Sequence, residues 1–305
     1  MKVAFFGTSD FGIPSLEALK ASNHSIICIV TTPDKPQGRN LKTIPSPVKE
    51  WALKNDIPII DYSKENPLPA VQKLQAEVFV VISFGVILSK AVLEVPRISL
   101  NVHSSLLPRY RGPAPMHWAL LNGDRETGVT VMRMVEKLDA GDILLQKSLR
   151  IDKNDDIRTL SGRLSRLGAE TLLESLDLLK KSAVYFLPQE KKTVTYARKI
   201  TKEDGRIDWN RPADEIRNQV RAFLGWPNSY SFYQGKRLLF LEASIETGDV
   251  DAQPGTILEA GKHGLTIAAV DGALRVTRLQ MEGKNPLPAA DFFKGIQLNP
   301  GVVLE

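Results

Sequence analysis

The chain has 305 residues, with 40 Lys and Arg against 35 Asp and Glu and a formal net charge of +5. At 43% hydrophobic and 25% charged residues the balance is that of an ordinary globular protein, long enough for two compact domains. No apolar run reaches the roughly eighteen residues of a membrane span, and MKVAFFG is too short an apolar stretch for a signal peptide. A soluble, cytoplasmic protein is therefore expected, with no membrane partner. The only cysteine, Cys28, excludes an internal disulfide and a thiolate metal site. The mild positive excess permits a polyanionic partner without demanding one.

In chain order, KVAFFG predicts a first strand and FGIPSLEALKAS a helix. IICIVT is a strand, SPVKEWALKND a helix, PII a short strand, LPAVQKLQA a helix, VFVVIS a strand and SLNVH another. These strands are continuous apolar runs with little alternation, as in a parallel sheet buried on both faces. Strand-helix alternation then implies an open, doubly wound α/β sheet. ETGVTVMRMVEKLDAGDILLQKSLRI changes character and reads as two strands joined by a loop. DIRTLSGRLSRLGAETLLESLDLLKKS follows as a long helix, with Leu spaced at three and four. The next segment is polar and Lys-rich. After the short helix ADEIRNQVRAF the pattern turns to strands divided by Gly-containing turns: SYSFY, RLLFLEASI, PGTILEAG, GLTIAAV and ALRVTRLQ. That spacing suggests a small β-barrel. The fold expected is a Rossmann-like, mostly parallel sheet over residues 1–187, a linker at 188–207 and an OB-like barrel over 208–305.

The first strand-to-helix turn, GTSDFG, lacks the second Gly of a dinucleotide fingerprint and the Lys-Ser/Thr of a P-loop, so neither NAD nor ATP is expected. The segment SLNVHSSLLPRYRGPAP carries the strongest local signal. Period two places Asn101 and His103 on one side of a strand, at the strand end where open α/β sheets place ligands. An Asn donor beside a His suits a carbonyl whose oxygen gains charge, although a lone His is more often structural. Asp139, in LDAGD, would orient the imidazole and stabilise its cation. It reads equally well as a turn former before Gly141.

NVHSSLLPRYRGPAP followed by GDRETGVTVMRMVEKLDAGDIL resembles the folate-dependent formyltransferases. The resemblance implies a catalytic triad of Asn101, His103 and Asp139. It also implies a folate site at Ser105, Leu106, Leu107 and Pro108, with the pterin under Phe84, Gly85, Val86, Ile87 and Leu88. The donor implied is 10-formyltetrahydrofolate, with no metal. Two further segments, TTPDKPQGRNLKTIPSPVKEWA and ARKITKEDGRIDWNRPADEIRNQVRAFLGWP, are similar to those of family members acting on tRNA. They imply initiator methionyl-tRNA as acceptor, contacts from Arg39 and Lys42, and a monomer. By composition alone these charges are those of a solvated loop, expected to be mobile. Ser9 and Ser89 stand where the family usually has Pro. The alternatives are formyl transfer to a nucleotide-linked amino sugar, or a catalytically silent RNA- or folate-binding protein on the same scaffold.

Overall fold

The computed structural model describes all residues except 38–41, 63–67, 182–183, 247 and 249, and leaves out the side chains of 35–37 and 42. Its first elements are β1 (Lys2–Gly7), α1 (Ile13–Lys20), β2 (Ser25–Thr31), β3 (Lys35–Gln37), β4 (Lys42–Ile44), α2 (Pro47–Lys54), β5 (Ile59–Asp61) and α3 (Leu68–Gln72). They continue with β6 (Val78–Ile82), α4 (Lys90–Leu93), β7 (Ile98–His103), α5 (Pro115–Leu121), β8 (Glu126–Arg133), β9 (Ile143–Arg150) and α6 (Ile157–Leu179). The remainder is α7 (Ala213–Ala222), β10 (Ser229–Tyr233), β11 (Lys236–Glu246), β12 (Ile257–Gly261), β13 (Gly264–Ala269), β14 (Gly272–Met281), β15 (Leu287–Pro288) and α8 (Ala289–Gly295). The chain divides into two compact units. The first comprises Met1–Pro115, Glu126–Arg150 and Ser161–Ala197, and the second Met116–Arg125, Ile151–Leu160 and Arg198–Glu305. The segment read as a linker is thus shared between them, divided after Ala197.

The first unit is built on a seven-stranded sheet of order β5-β2-β1-β6-β7-β8-β9. The pairs from β5 to β7 are parallel, and β8 and β9 are antiparallel additions at the β7 edge. All five residues of β6 are buried, as a strand covered on both faces requires. The chain leaves β1 toward β2 and β5, then returns to its other side with β6 and β7, so the order reverses at β1 and β6. The crevice beyond strand ends at such a reversal is where this fold class binds ligands. The local chemistry of α2 shows why helices form here. Ser46 caps it by accepting from Lys49 N at 3.2 Å, Pro47 opens it, and Val48, Trp51 and Ala52 give one buried stripe. α6 is capped by Asp156 Oδ1, which accepts from the backbones of Arg158 and Thr159 at 2.8 and 2.9 Å. It lies so close to the sheet that a Cβ on Gly168 would meet Val102 Cγ1 at 3.3 Å.

The second unit holds the antiparallel order β10-β11-β14-β13-β12, with β15 on β14. The last residues join its two edge strands. Ile257 N donates to Val302 O at 2.8 Å and Leu304 N to Gly255 O at 2.9 Å, while Phe232 and Glu305 exchange backbone bonds at 2.9 and 3.1 Å. The sheet is thereby closed by backbone pairing into the expected barrel. Its core includes Trp209, Tyr233, Leu238, Phe240, Leu265, Ile267, Leu274, Val276 and Phe292.

Several elements differ from the sequence reading. The segment 33–45, read as an irregular loop, contains β3 paired antiparallel with β4. Three-residue strands are too short for alternation to register. The helix expected over 68–76 ends at Gln72, and α4 and α8 were not anticipated because neither spans a readable period. No helix among the described residues is long and apolar enough to cross a membrane.

Candidate active site

β7 delivers Asn101 and His103 to one side of the sheet edge, with His103 the last residue of the strand, 6% exposed. His103 Nε2 lies 2.9 Å from the carbonyl oxygen of Tyr110. A carbonyl only accepts, so Nε2 carries the proton and Nδ1 faces the other way. There it stands 3.8 Å from Asp139 Oδ2. The same carboxylate oxygen accepts from Gly112 N at 2.8 Å, and Oδ1 is 3.5 Å from Asn101 Nδ2. Residues 38 positions apart, on a strand and on the β8–β9 connection, thus converge on one point. The contacts from Asp139 to the imidazole and to the Asn amide are both long, leaving those groups open to a further partner.

The position of Asp139 is held from outside the triad. Its backbone is left-handed, with φ 48°, which costs a non-glycine residue free energy and persists only where surroundings hold it. Gln189 supplies that hold: its Nε2 donates to the carbonyls of Asp139 at 2.9 Å and Gly141 at 2.7 Å. Its Oε1 accepts from buried Arg111 at 3.0 Å through Nε and 2.6 Å through Nη2. Arg111 is itself pinned by backbone bonds to Thr195 and Ala197 at 2.9 and 2.7 Å. Gly112, at φ +124°, has no space for a side chain, since a Cβ would meet Ala197 O at 2.5 Å.

The Ser105–Pro108 segment is tied down internally. Ser105 Oγ donates to Arg109 O at 2.7 Å, and Thr130 Oγ1 donates to Ser105 O at 2.7 Å while accepting from Leu107 N at 3.1 Å. Gln146 Nε2 donates to Leu107 O at 2.8 Å. Ser105 and Leu107 are buried, with Leu106 and Pro108 half-buried. Leu107 packs with Met132 and Ile143. A cavity of about 100 Å³ lies between Val86, Ile87 and Leu88 on one side and Met132, Met134 and residues 135–141 on the other. Ile87, at its mouth, is 84% exposed, and Gly85 takes φ 72°. Phe84 points instead into the core, edge-on to Phe6 at 5.6 Å and Tyr62 at 5.3 Å. It supports the 85–88 turn from beneath. Arg39 lies outside the described residues. Lys42 begins β4, and its side chain is outside the description.

The profile of the formyl transferase family matches residues 1–176, and that of the formyl transferase C-terminal domain residues 199–297. The chain belongs to the formyl transferase family. A methionyl-tRNA formyltransferase from Citrifermentans bemidjiense is 42% identical over 100% of this chain and 96% of its own length. Among solved structures, an N-formyltransferase from Helicobacter canadensis, in complex with folinic acid and dTDP-3-aminofucose, superposes with a TM-score of 0.69 at 19% identity. That match covers 90% of this chain and 98% of the other. HypX from Aquifex aeolicus in complex with tetrahydrofolic acid gives a TM-score of 0.65 at 18% identity; this chain is covered to 98% and spans 49% of that one. Both structural likenesses are of fold.

Within this formyltransferase the sequence reading missed Gln189, Arg111, Thr130 and Gln146. Gln189 stood in a polar stretch with no periodicity. Arg111 passed as one of several basic residues beside the motif. Only the low exposure of Arg111 and Thr130 marks them out, and exposure is not a property of isolated sequence. Among the described residues no three His, Cys, Asp or Glu stand together as metal ligands. Cys28 is buried against β1, its thiol pushed up to about 11 by loss of solvent.

Proposed function

We propose that this formyltransferase moves the formyl group of 10-formyltetrahydrofolate to the α-amine of methionine esterified to initiator tRNA. The chemistry rests on one observation: Asn101, His103 and Asp139 converge at the end of β7, beside a small apolar cavity. The choice of acceptor rests on relatedness over the full length of the chain to methionyl-tRNA formyltransferases. The amine nitrogen attacks the formyl carbon, and the carbonyl π pair moves onto oxygen. Asn101 Nδ2–H and a ring N–H of His103 stabilise that oxygen. Collapse breaks the bond from carbon to the folate nitrogen, which takes up the proton given up by the amine. An α-amine has an ordinary pKa of about 7.7–8.0, so a useful fraction attacks neutral at pH 7. Asp139, anchored by Gly112 N, stands beside the ring and holds it in place. The exposed Ile87 and the backbone of 85–88 and 138–141 suit the face and edge of a flat heterocycle. In the same reading Ser105, Leu106, Leu107 and Pro108 complete the folate site.

In this reading residues 1–187 form the catalytic domain, 188–207 a tether and 208–305 a tRNA-binding domain. Arg39 and Lys42 meet the acceptor stem, and the protein works as a cytoplasmic monomer without a metal. The deciding experiment offers formyl-labelled folate with either charged initiator tRNA or a nucleotide-linked amino sugar. Label is expected on the tRNA, with an acceptor affinity that falls steeply with salt through counterion release. Label on the sugar alone, or a flat salt response, would overturn the tRNA assignment.

A further inference from the structure

On β10 the burial alternates. Ser229, Ser231 and Tyr233 are buried, while Tyr230 and Phe232 stand half-exposed on the opposite, outward face. Their rings meet edge-on, with centroids 5.7 Å apart and planes at 86°. Two guanidinium groups cover them. Arg237 Cζ is 4.4 Å from the Tyr230 centroid and 5.9 Å from that of Phe232, and Arg206 Cζ is 5.9 Å from Phe232. Register explains the grouping: Phe232 lies opposite Arg237 in the β10–β11 ladder, and Arg206 bridges to Tyr230.

Elsewhere in this unit Arg198 pairs with Asp204, Arg211 with Glu215 and Arg275 with Glu246. Among the described residues neither Arg206 nor Arg237 has a carboxylate ion-pair partner. Glu282 accepts from the backbone N–H of Arg237 at 3.1 Å. Lys202 and Lys236, both exposed, flank the group in the chain. The backbone of β10 is already occupied on both edges, by β11 on one side and by Ile207 and Glu305 on the other. A partner therefore cannot add as a strand and meets side chains only.

We propose that Tyr230, Phe232, Arg206 and Arg237 form a stacking platform for unpaired nucleotides of the acceptor RNA, an inference that rests on the tRNA reading above. A guanidinium held flat on an aromatic ring presents its outer face to a base and its edge N–H groups to a phosphate. Aromatic faces with unpaired cations are the combination that binds single-stranded nucleic acid without reading its sequence. A purely electrostatic patch would not need the rings, and a purely apolar one would not carry two unpaired charges.

The test measures the affinity of uncharged initiator tRNA, of a short oligouridylate and of a blunt RNA duplex over a range of salt. The Tyr230→Leu/Phe232→Leu double variant keeps the charge and is expected to weaken tRNA and oligouridylate about tenfold. Its salt slope should match that of the wild type. Arg237→Gln is expected to weaken both about fivefold and to lower the salt slope by about 1. Wild-type affinity in both variants, or equal affinity of the parent for duplex and oligouridylate, would overturn the platform. Unchanged RNA binding is also the result if this surface serves another protein. Should the double variant lose its melting transition, Arg237→Gln decides, because its side chain is exposed. Formylation of charged tRNA by the parent protein reads the acceptor assignment separately. Transfer that persists while both variants bind normally removes the platform and leaves the assignment standing.

Discussion

β6 and β10 bury their side chains in opposite ways. Every residue of β6 is buried, because helices cover both faces of a parallel sheet. β10 alternates, with one face turned into the barrel and one turned out. The consequence is a division of labour. The parallel sheet has no free face, so a ligand can be met only at strand ends and the loops beyond them, where His103, the 85–88 turn and Asp139 stand. The barrel has an outward face to spare, and its closed edges leave that face as the surface a partner can meet.

The largest effects should come from the strand end. His103→Ala and Asp139→Asn are each expected to lower turnover about a hundredfold or more, while folate binding survives. Gln189→Ala should lower turnover less, about tenfold, by loosening the Asp139 connection without touching the reacting atoms. Steady-state turnover beside a folate titration checks all three. Near-normal turnover in the first two would place the chemistry elsewhere.

The contrast in burial can be probed directly. Val80→Ser, in the middle of β6 at 0% exposure, should cost about 2–4 kcal/mol. Ile245→Ser on the barrel, at 41% exposure, should cost under about 1 kcal/mol. Urea unfolding of both variants provides the comparison, and equal costs would mean that the two sheets do not differ in this way.

A further small effect is electrostatic. Asp204 is held at about 2, below its ordinary 3.8, first by its hydrogen bonds from Arg198. A depressed carboxylate stabilises the fold above its unfolded value and loses that contribution as pH falls through the folded one. Asp204→Asn should therefore cost about 1 kcal/mol at neutral pH, a figure discounted because the Arg198 side chain is 56% exposed. The gap to the parent protein should close between about pH 4 and pH 2. Melting temperatures across that window test it, and a constant gap would mean that another interaction is responsible.

The two regions were also unequally readable. Apolar runs such as VFVVI announce buried strands, and the Gly-punctuated segments after Ala213 announce barrel strands. Asn101 and His103 share a face by period two alone, so two of the three proposed triad residues are visible locally. Asp139 reads as a turn former without its partners, and its role came by family resemblance. Gln189 carried no signal, since a polar residue in an aperiodic stretch acquires meaning only from the carbonyls it reaches. Phe84 was assigned to the ligand pocket, but its ring completes the aromatic cluster beneath it. Tyr230 and Phe232 were correctly placed in a strand, but nothing local says which arginines would cover them.

Strand and helix periodicity, the turn residues and the NVHSSLLP segment depend on neighbours within a few positions, so the order of the longer elements, the fold class and the family are legible without coordinates. Everything that required distant segments to meet was decided only on folding. The Asp139 carboxylate met Gly112 N, Gln189 bridged Arg111 to the 139–141 turn, and residues 301–305 closed the barrel. These contacts join groups tens of residues apart. Their energies come from hydrogen bonds in buried or half-buried places, and burial is a property of the whole packed chain rather than of any stretch of it.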